Sequence, residues 1–120
     1  MAKPKLLIVD DDPHLRKLLT IYLRDKWDVS VAAEGEEAIE VWRKEKPKVV
    51  LLDLILPYYG GFRLCQDFKG DGSFRSHVIM MTGEEGDDTR DIASECGADD
   101  FVLKPFDPAE MVRKLDALST

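Results

Sequence analysis

Cysteine and long hydrophobic runs are scarce in this sequence. Its two cysteines, Cys65 and Cys96, are far apart along the chain and belong to no Cys-x-x-Cys or Cys/His pattern. This spacing argues against a metal site or a disulfide, and both residues fall on the expected apolar faces of helices, so we expect buried free thiols. No apolar stretch approaches the roughly 20 residues that a membrane-spanning helix needs.

Positive charge is also scarce. The chain has 17 Lys and Arg residues against 24 Asp and Glu residues, which gives a net charge of −7. Binding to nucleic acid or to an anionic membrane requires clustered cations, so we expect this domain to bind neither directly. The first residues lead straight into an apolar run without a signal-peptide pattern, from which we expect a cytoplasmic location.

The composition indicates neither disorder nor a second domain. Hydrophobic residues make up 44% of the chain and charged residues 34%, values that are typical of a globular protein. A chain of 120 residues can build one hydrophobic core but has no room for a second folded module. We therefore expect residues 1–120 to form a single domain.

Four short apolar runs each end on a polar residue. Continuous runs of this length are typical of strands that are buried on both faces of a parallel sheet. The polar residues that follow the runs are Asp10, Asp11 and Asp12 after residues 6–9, Asp53 after 49–52, Thr82 after 78–81, and Lys104 after 101–103. Because the functional crevice of an open α/β sheet lies outside the carboxyl ends of its strands, we expect these side chains to share one pocket.

The chain alternates strand and helix patterns five times, which predicts an α/β domain with helices on both faces of a parallel sheet. Right-handed crossovers favour a doubly wound, flavodoxin-like (βα)5 fold with strand order 2-1-3-4-5. The predicted strands are residues 5–10, 28–33, 48–53, 77–82 and 100–104, the second of them at an edge. In this order the first and third strands are neighbours, which places Asp10, Asp11 and Asp53 together.

Capping signals mark the ends of several predicted helices. Asp12 and Asp107 each precede a proline and are expected to be helix N-caps. Gly97 is expected to end the helix before the last strand. The predicted buried face of the first helix comprises Leu15, Leu18, Leu19, Tyr22 and Leu23.

The predicted pocket has the groups that phosphoryl transfer needs. Three carboxylates within about 5 Å of one another repel by roughly 3 kcal/mol per pair at an effective dielectric constant near 20. Such a cluster must be partly protonated, hydrated or bound to a cation, and Mg²⁺ fits because it prefers oxygen ligands and keeps several waters. One carboxylate could then be the nucleophile. Lys104 offers a positive charge, Thr82 a hydroxyl, and the backbone near residues 54–55 and 83 further hydrogen-bond donors.

Six segments resemble motifs of bacterial response-regulator receiver domains, of the kind found in chemotaxis regulators. Each segment alone is weakly specific, but together their order and spacing are highly specific, and the resemblance covers about residues 5–118. The segments are VDDD at 9–12, LDLILP at 52–57, Gly61, MTG at 81–83, GADDF at 97–101 and LKPF at 103–106.

The resemblance implies a metal site and an acceptor. Asp53 would be the phosphoacceptor. Mg²⁺ would be bound directly by Asp11, by Asp53 and by the backbone carbonyl of Ile55, whereas Asp10 would act through water.

It also implies roles for residues at the ends of the last two strands. Thr82 would bond a phosphoryl oxygen, and Lys104 would pair with the phosphoryl group. Phe101 would be a switch aromatic that reorients. The bond between Lys104 and Pro105 would be cis, which is physically reasonable for an X–Pro step in a tight turn.

The function implied by the resemblance is that of a signalling switch. A histidine kinase or a histidine phosphotransfer protein would donate the phosphoryl group, and the altered surface would change its affinity for an effector. Self-catalysed phosphorylation and dephosphorylation would be its only chemistry, and a phosphorylation-dependent homodimer stays open. The chain could be a free-standing receiver or a receiver cut from a longer regulator.

Some residues depart from the family pattern or fall at its variable positions. Phe101 lacks the hydroxyl of the usual tyrosine, so any switch must work through packing. Ile55 and Glu84 occupy positions that tune dephosphorylation, and the apolar Ile55 leads us to expect slow loss of phosphate. Tyr58 and Tyr59 could form a docking feature or simply cover a helix end.

Two other functions fit the sequence less well. An aspartate-nucleophile phosphohydrolase usually has a second acid two residues after its nucleophile, where this chain has Ile55. A flavin- or nucleotide-binding module of the same fold would need a phosphate loop rich in Gly, Ser or Thr after the first strand. This chain has three aspartates there.

Overall fold

The computed structural model describes residues 2–56, 60–70, 74–83, 91–92 and 94–118. The expectations about Tyr58, Tyr59 and Glu84 lie outside these residues. None of the described helices is both long and apolar enough to cross a bilayer.

Strands and helices alternate along the chain. The strands are β1 (Lys5–Val9), β2 (Asp28–Ala32), β3 (Val49–Asp53), β4 (His77–Thr82) and β5 (Asp100–Leu103). The helices are α1 (Pro13–Leu23), α2 (Gly35–Glu45), α3 (Gly61–Gly70) and α4 (Pro108–Asp116), and residues 91, 92, 94 and 95 are helical as well. The predicted strand bounds are correct to within one residue at each end.

The five strands form one parallel sheet of order β2-β1-β3-β4-β5, which confirms the predicted flavodoxin-like topology and the edge position of β2. The register aligns the strand ends at one edge of the sheet. Val9 of β1 pairs with Leu52 of β3, and Thr82 of β4 pairs with Leu103 of β5. The residues that follow these positions therefore meet at the same edge, as expected for a doubly wound sheet.

Each face of the sheet is covered by a separate apolar cluster, which explains why the strands are continuous apolar runs. On one face, Leu7, Val9, Val50, Leu52, Val78 and Met80 pack with Ala38 and Trp42 of α2 and with Leu64 and Phe68 of α3. On the other face, Leu6, Ile8, Val49, Leu51, Ile79 and Met81 pack with Leu19 and Leu23 of α1 and with Met111 and Leu115 of α4.

The predicted buried face of α1 is wrong in part. Leu19 and Leu23 are buried and Leu15 is partly buried, but Leu18 is 41% exposed and Tyr22 is 50% exposed. The residues that pack on the sheet are spaced four apart along the helix. Leu18 and Tyr22 each precede one of them by one position, about 100° around the helix axis, so they fall outside a narrow buried line.

The helix caps agree with the sequence prediction. Asp12 accepts a hydrogen bond from the backbone N–H of His14, and Asp107 accepts one from the backbone N–H of Ala109. Gly97 has a φ of 90°, the left-handed conformation in which a helix commonly ends.

A buried serine just before β4 connects α2 to the loop that precedes β3. The hydroxyl of Ser76 accepts a hydrogen bond from Nε1 of Trp42 at 2.8 Å and donates one to the carbonyl of Pro47 at 2.6 Å. Ser76 is 1% exposed, so water cannot replace either partner. The hydroxyl thus satisfies two buried polar groups at once.

We expect Ser76→Ala to lower the free energy of unfolding by about 1–3 kcal/mol, because it leaves a buried indole N–H and a buried carbonyl unpaired. Urea denaturation followed by circular dichroism measures the change. Ser94→Ala at an exposed helical position is the control and should shift stability by less than about 0.5 kcal/mol. Equal stabilities of the two variants would show that the Ser76 bridge contributes nothing.

Candidate functional site

Three aspartates meet where β1 and β3 end. Asp10 and Asp11 directly follow β1, and Asp53 is the last residue of β3. One carboxylate oxygen from each lies within 4.8 Å of the other two. Asp10 is fully buried and Asp53 is 7% exposed, whereas Asp11 is exposed. The cluster is therefore open to solvent on the side of Asp11, and the predicted meeting of the three carboxylates is confirmed.

Both carboxylate oxygens of Asp10 have a partner. Oδ2 accepts a hydrogen bond from Nζ of Lys104 at 2.7 Å, and Oδ1 accepts one from the backbone N–H of Asp12 at 2.9 Å. The guanidinium of Arg16, in the first turns of α1, donates to the backbone carbonyl of Asp10 at 2.8 Å. A buried carboxylate needs such partners, and these hold Asp10 in one position.

Asp53 is less completely compensated. Its Oδ1 accepts a hydrogen bond from the backbone N–H of Ile55 at 3.1 Å, and its Oδ2 lies 3.5 Å from Nζ of Lys104. Burial and the negative charge of Asp10 raise the pKa of Asp53 to about 6, although Lys104 and the Ile55 N–H act in the opposite direction. A positive charge beyond that of Lys104 is needed to keep this carboxylate fully ionised.

Lys104 is the cation of the site. It follows the last residue of β5, and its ammonium lies between the carboxylates of Asp10 and Asp53. Burial disfavours the charged form, but the two carboxylates outweigh it and raise the pKa of Lys104. The bond between Lys104 and Pro105 is cis, as predicted. The ammonium therefore stays charged at the edge of the sheet where the carboxyl ends of the strands meet.

Thr82 ends β4 and is 2% exposed. Its Oγ1 has no hydrogen-bond partner in the part of the chain that the structure describes. Buried hydroxyls are normally paired, and an unpaired one is a feature that a ligand can satisfy. This hydroxyl lies at the same edge of the sheet as Asp53 and Lys104, and it points to a ligand with a hydrogen-bond acceptor that binds there.

Two further predicted residues lie beside the site. Ile55 comes two residues after Asp53 and is 70% exposed, and its backbone N–H donates a hydrogen bond to the Asp53 carboxylate. Phe101, in β5, is half-buried against the apolar cluster formed with α2 and α3. Metal binding by the Ile55 carbonyl and reorientation of Phe101 stay predictions.

Gly61, the first residue of α3, approaches the end of β3 too closely for any side chain. A Cβ at this position would overlap the backbone carbonyl of Asp53 and would lie 2.6 Å from Cα of Leu54. The N–H of Gly61 also donates to the carbonyl of Leu54 at 3.1 Å. The start of α3 therefore packs backbone against backbone on the residue that carries the carboxylate.

The sequence indicated the charged groups of the site but not what supports them. The contact of Arg16 with the Asp10 carbonyl left no signal, because a surface arginine on a helix is common. Gly61 belonged to the family pattern, but its steric role depends on a contact between α3 and β3 that spacing does not reveal. The approach of the Cys65 thiol to the backbone carbonyl of Cys96, at 3.4 Å, was missed for the same reason.

Comparison with known proteins agrees with this geometry. Residues 6–116 match the family model described as "Response regulator receiver domain". The chain is 39% identical over 118 residues to the "DNA-binding response regulator MtrA" of Mycolicibacterium smegmatis, with 96% of this chain and 50% of the relative covered. It is 35% identical over 116 residues to the "Probable transcriptional regulator ycf27" of Porphyridium aerugineum, with 96% and 48% covered. The chain thus spans about half the length of these relatives.

Solved structures show the same fold. A putative response regulator from Chloroflexus aurantiacus superposes with a TM-score of 0.90 at 31% identity, and 98% of each chain is covered. The BeF3-activated N-terminal receiver domain of RstA from Klebsiella pneumoniae has a TM-score of 0.84 at 35% identity, covering 94% of this chain and 96% of that one.

We expect Gly61→Ala to lower the free energy of unfolding by roughly 1–3 kcal/mol, because the new Cβ must push apart the backbones of α3 and β3. Chemical denaturation measures the change. Gly70→Ala at the other end of α3 is the matched control, since a Cβ there meets nothing within 4 Å. That variant should be neutral or slightly more stable, because alanine favours the helix. Equal losses in both variants would contradict the close approach.

We expect the metal-free protein to lose stability as the pH rises from about 4 to about 6. The folded state raises the pKa of Asp53 to about 6, so folding favours its protonated form, and this contribution disappears as the carboxyl ionises. At pH 7 without metal, Asp53→Asn should therefore exceed the wild type by about 1–3 kcal/mol in free energy of unfolding. The difference should vanish near pH 4.

Thermal melts across this pH range, with a metal chelator present, measure the effect. Asp107→Asn keeps a capping side chain at the start of α4, outside the cluster of three aspartates, and should follow the wild type. A constant difference between wild type and Asp53→Asn from pH 4 to pH 7 would rule out the titration of Asp53 as its cause.

Proposed function

This chain belongs to the response-regulator receiver family, and on that premise we propose that Asp53 is the phosphoacceptor of its signalling switch. One observation carries the proposal. The carboxylate of Asp53 shares an ammonium with Asp10 and lies at the same sheet edge as the buried hydroxyl of Thr82, which has no hydrogen-bond partner among the described residues. A nucleophile, a cation and a spare donor are the groups that stabilise a transferring phosphoryl group.

The chemistry begins with an ionised Asp53. One of its carboxylate oxygens attacks the phosphorus of a phosphohistidine, the phosphorus–nitrogen bond breaks, and the histidine nitrogen keeps the electron pair and takes up a proton. The Ile55 N–H holds Oδ1, and Lys104 lies on the side of Oδ2. The phosphorylated product carries about two negative charges at pH 7. Lys104 can form an ion pair with it, and the Thr82 hydroxyl can donate a hydrogen bond to it.

The acidic cluster fits Mg²⁺. All of its donors are hard oxygen atoms, and the raised pKa of Asp53 reflects a need for positive charge. Asp11, Asp53 and the backbone carbonyl of Ile55 would hold the ion directly. Both oxygens of Asp10 already have partners, which supports its assignment to contact through water. When bound, Mg²⁺ neutralises charge on the acceptor and on the phosphoryl oxygens.

The switch follows from the Thr82 hydroxyl, which has no hydrogen-bond partner among the described residues before phosphorylation. The Thr82 hydroxyl gains a partner when a phosphoryl oxygen comes within reach, and this movement leaves space beside β5. Phe101 is only half-buried and has no hydroxyl to anchor it, so it can move inward by packing alone. Two states with different contacts are what a switch requires.

We infer that the donor is a histidine kinase or a histidine phosphotransfer protein in the cytoplasm, and that autocatalysed loss of phosphate is slow. The exposed apolar Ile55 gives an attacking water no hydrogen-bond partner, and a phosphoryl lifetime of seconds would count against this expectation. The effector is either a separate protein or an output module on the same chain. The relatives, which are about twice as long as this chain, leave room for such a module. That this domain itself contacts neither nucleic acid nor membrane, and that phosphorylation drives homodimerisation, stay predictions.

We expect the protein to gain one acid-stable, alkali-labile phosphate when it is incubated with Mg²⁺ and a small-molecule phosphodonor such as acetyl phosphate. Asp53→Asn should gain none, because the amide cannot act as the nucleophile. Intact-mass spectrometry after acid quenching measures the gain. Asp12→Asn, which preserves the cap of α1, is the control and should be phosphorylated as the wild type is.

Two results would contradict the proposal. A phosphate that persists in Asp53→Asn would mean that another residue is the acceptor. Multiple turnover of an added phosphate ester, without retention of phosphate on the protein, would favour the phosphohydrolase instead.

A further inference from the structure

The fold brings the two cysteines of the chain into contact. Cys65 lies in α3, and Cys96 directly follows the helical residues 94 and 95. The thiol of Cys65 lies 3.4 Å from the backbone carbonyl of Cys96, which brings the two side chains close together. Neither cysteine is in a disulfide, and both are buried, with Cys65 fully covered and Cys96 4% exposed. Residues that the sequence keeps far apart thus form one dithiol.

The contact makes the two sulfurs chemically different. The hydrogen bond with Cys65 lowers the pKa of Cys96 to about 7, and the backbone N–H of Ala98 contributes in the same direction. The hydrogen bond with Cys96, together with burial, raises the pKa of Cys65. A buried cysteine that only fills space in a core usually has a raised pKa and is inert, whereas a thiolate is the nucleophile in thiol chemistry.

A metal site explains the pair less well than redox chemistry does. A thiolate-bound ion usually takes four ligands. Among the described residues, the one group of three or more His, Cys, Asp or Glu side chains that could hold a metal is the aspartate cluster of the functional site. Within the part of the chain that the structure describes, the dithiol therefore has two sulfurs and no third metal ligand, which suits the formation of a disulfide.

We propose that Cys65 and Cys96 are a peroxide-oxidisable pair that forms a reversible disulfide between α3 and the segment before β5. The Cys96 thiolate attacks one oxygen of hydrogen peroxide, the O–O bond breaks, hydroxide leaves, and a sulfenic acid forms. The sulfur of Cys65 then attacks that of Cys96. The S–O bond breaks, and the proton of Cys65 leaves with the oxygen as water. In sum, two thiols are oxidised to a disulfide, and one peroxide is reduced to two waters.

The disulfide would act on a part of the molecule that the carboxylate site does not include. It would tie α3, which starts against the Asp53 backbone, to the segment that leads into β5. The pair uses none of the groups that bind phosphate or metal. The inference therefore holds whether or not Asp53 is the acceptor.

The test uses the folded wild-type chain, treated with hydrogen peroxide near neutral pH and then unfolded in guanidinium chloride with iodoacetamide. Intact-mass spectrometry should show a monomer that has lost the mass of two hydrogen atoms and carries no alkyl group. Proteolysis should yield one peptide pair linked through Cys65 and Cys96. Dithiothreitol should restore two alkylatable thiols, as expected for a reversible disulfide.

Two variants separate the roles of the sulfurs. In Cys65→Ser, the sulfenic acid at Cys96 has no resolving thiol and should be trapped by dimedone. In Cys96→Ser, Cys65 should react with peroxide at least about tenfold more slowly than Cys96 does in Cys65→Ser, because the buried Cys65 thiol stays protonated. Serine keeps the size and a hydrogen-bonding hydroxyl, and circular dichroism checks that each variant is folded.

The wild-type result decides the proposal even if a variant does not fold. Two fully alkylatable thiols, after a peroxide treatment that oxidises glutathione in the same tube, would overturn it. Oxidation that yields only disulfide-linked dimers would overturn it as well, because the proposed bond is intramolecular and independent of protein concentration.

Discussion

The ammonium of Lys104 is the interaction on which the site depends. It makes a 2.7 Å ion pair with the fully buried Asp10 and lies 3.5 Å from Asp53, so one positive charge offsets two carboxylates that are largely shielded from water. Because these residues follow or end β5, β1 and β3, the same charge also ties three strand ends together. Without it, the edge of the sheet would carry only like charges close to one another.

This arrangement is a consequence of the sheet as a whole. Parallel strands covered on both faces present their carboxyl ends at one edge, and the polar side chains just past the last apolar residues lie outside the two apolar clusters. Thr82 shows the result most plainly. It is buried by the fold, yet its hydroxyl has no partner among the described residues. The fold thus holds a polar group ready for a ligand.

Sequence reasoning reached the sheet order and the meeting of the three aspartates because both follow from the apolar runs of the chain and from the rules for connecting parallel strands. Continuous apolar runs identify doubly covered strands, and right-handed crossovers leave few ways to order them. Its failures concern contacts between distant elements. The exposure of Leu18 and Tyr22 depends on how α1 packs, and the meeting of Cys65 with Cys96 depends on how two helical segments approach each other. No spacing in the chain encodes either contact. The pKa of Asp53 likewise required the distances to its neighbours.

The close packing of Gly61 on the Asp53 backbone has a mechanical consequence. A contact between two backbones cannot be relieved by rotating a side chain, so any displacement of the Asp53 carbonyl requires the start of α3 to move as well. Because a helix moves as a stiff element, such a displacement would be transmitted along α3 to its far end.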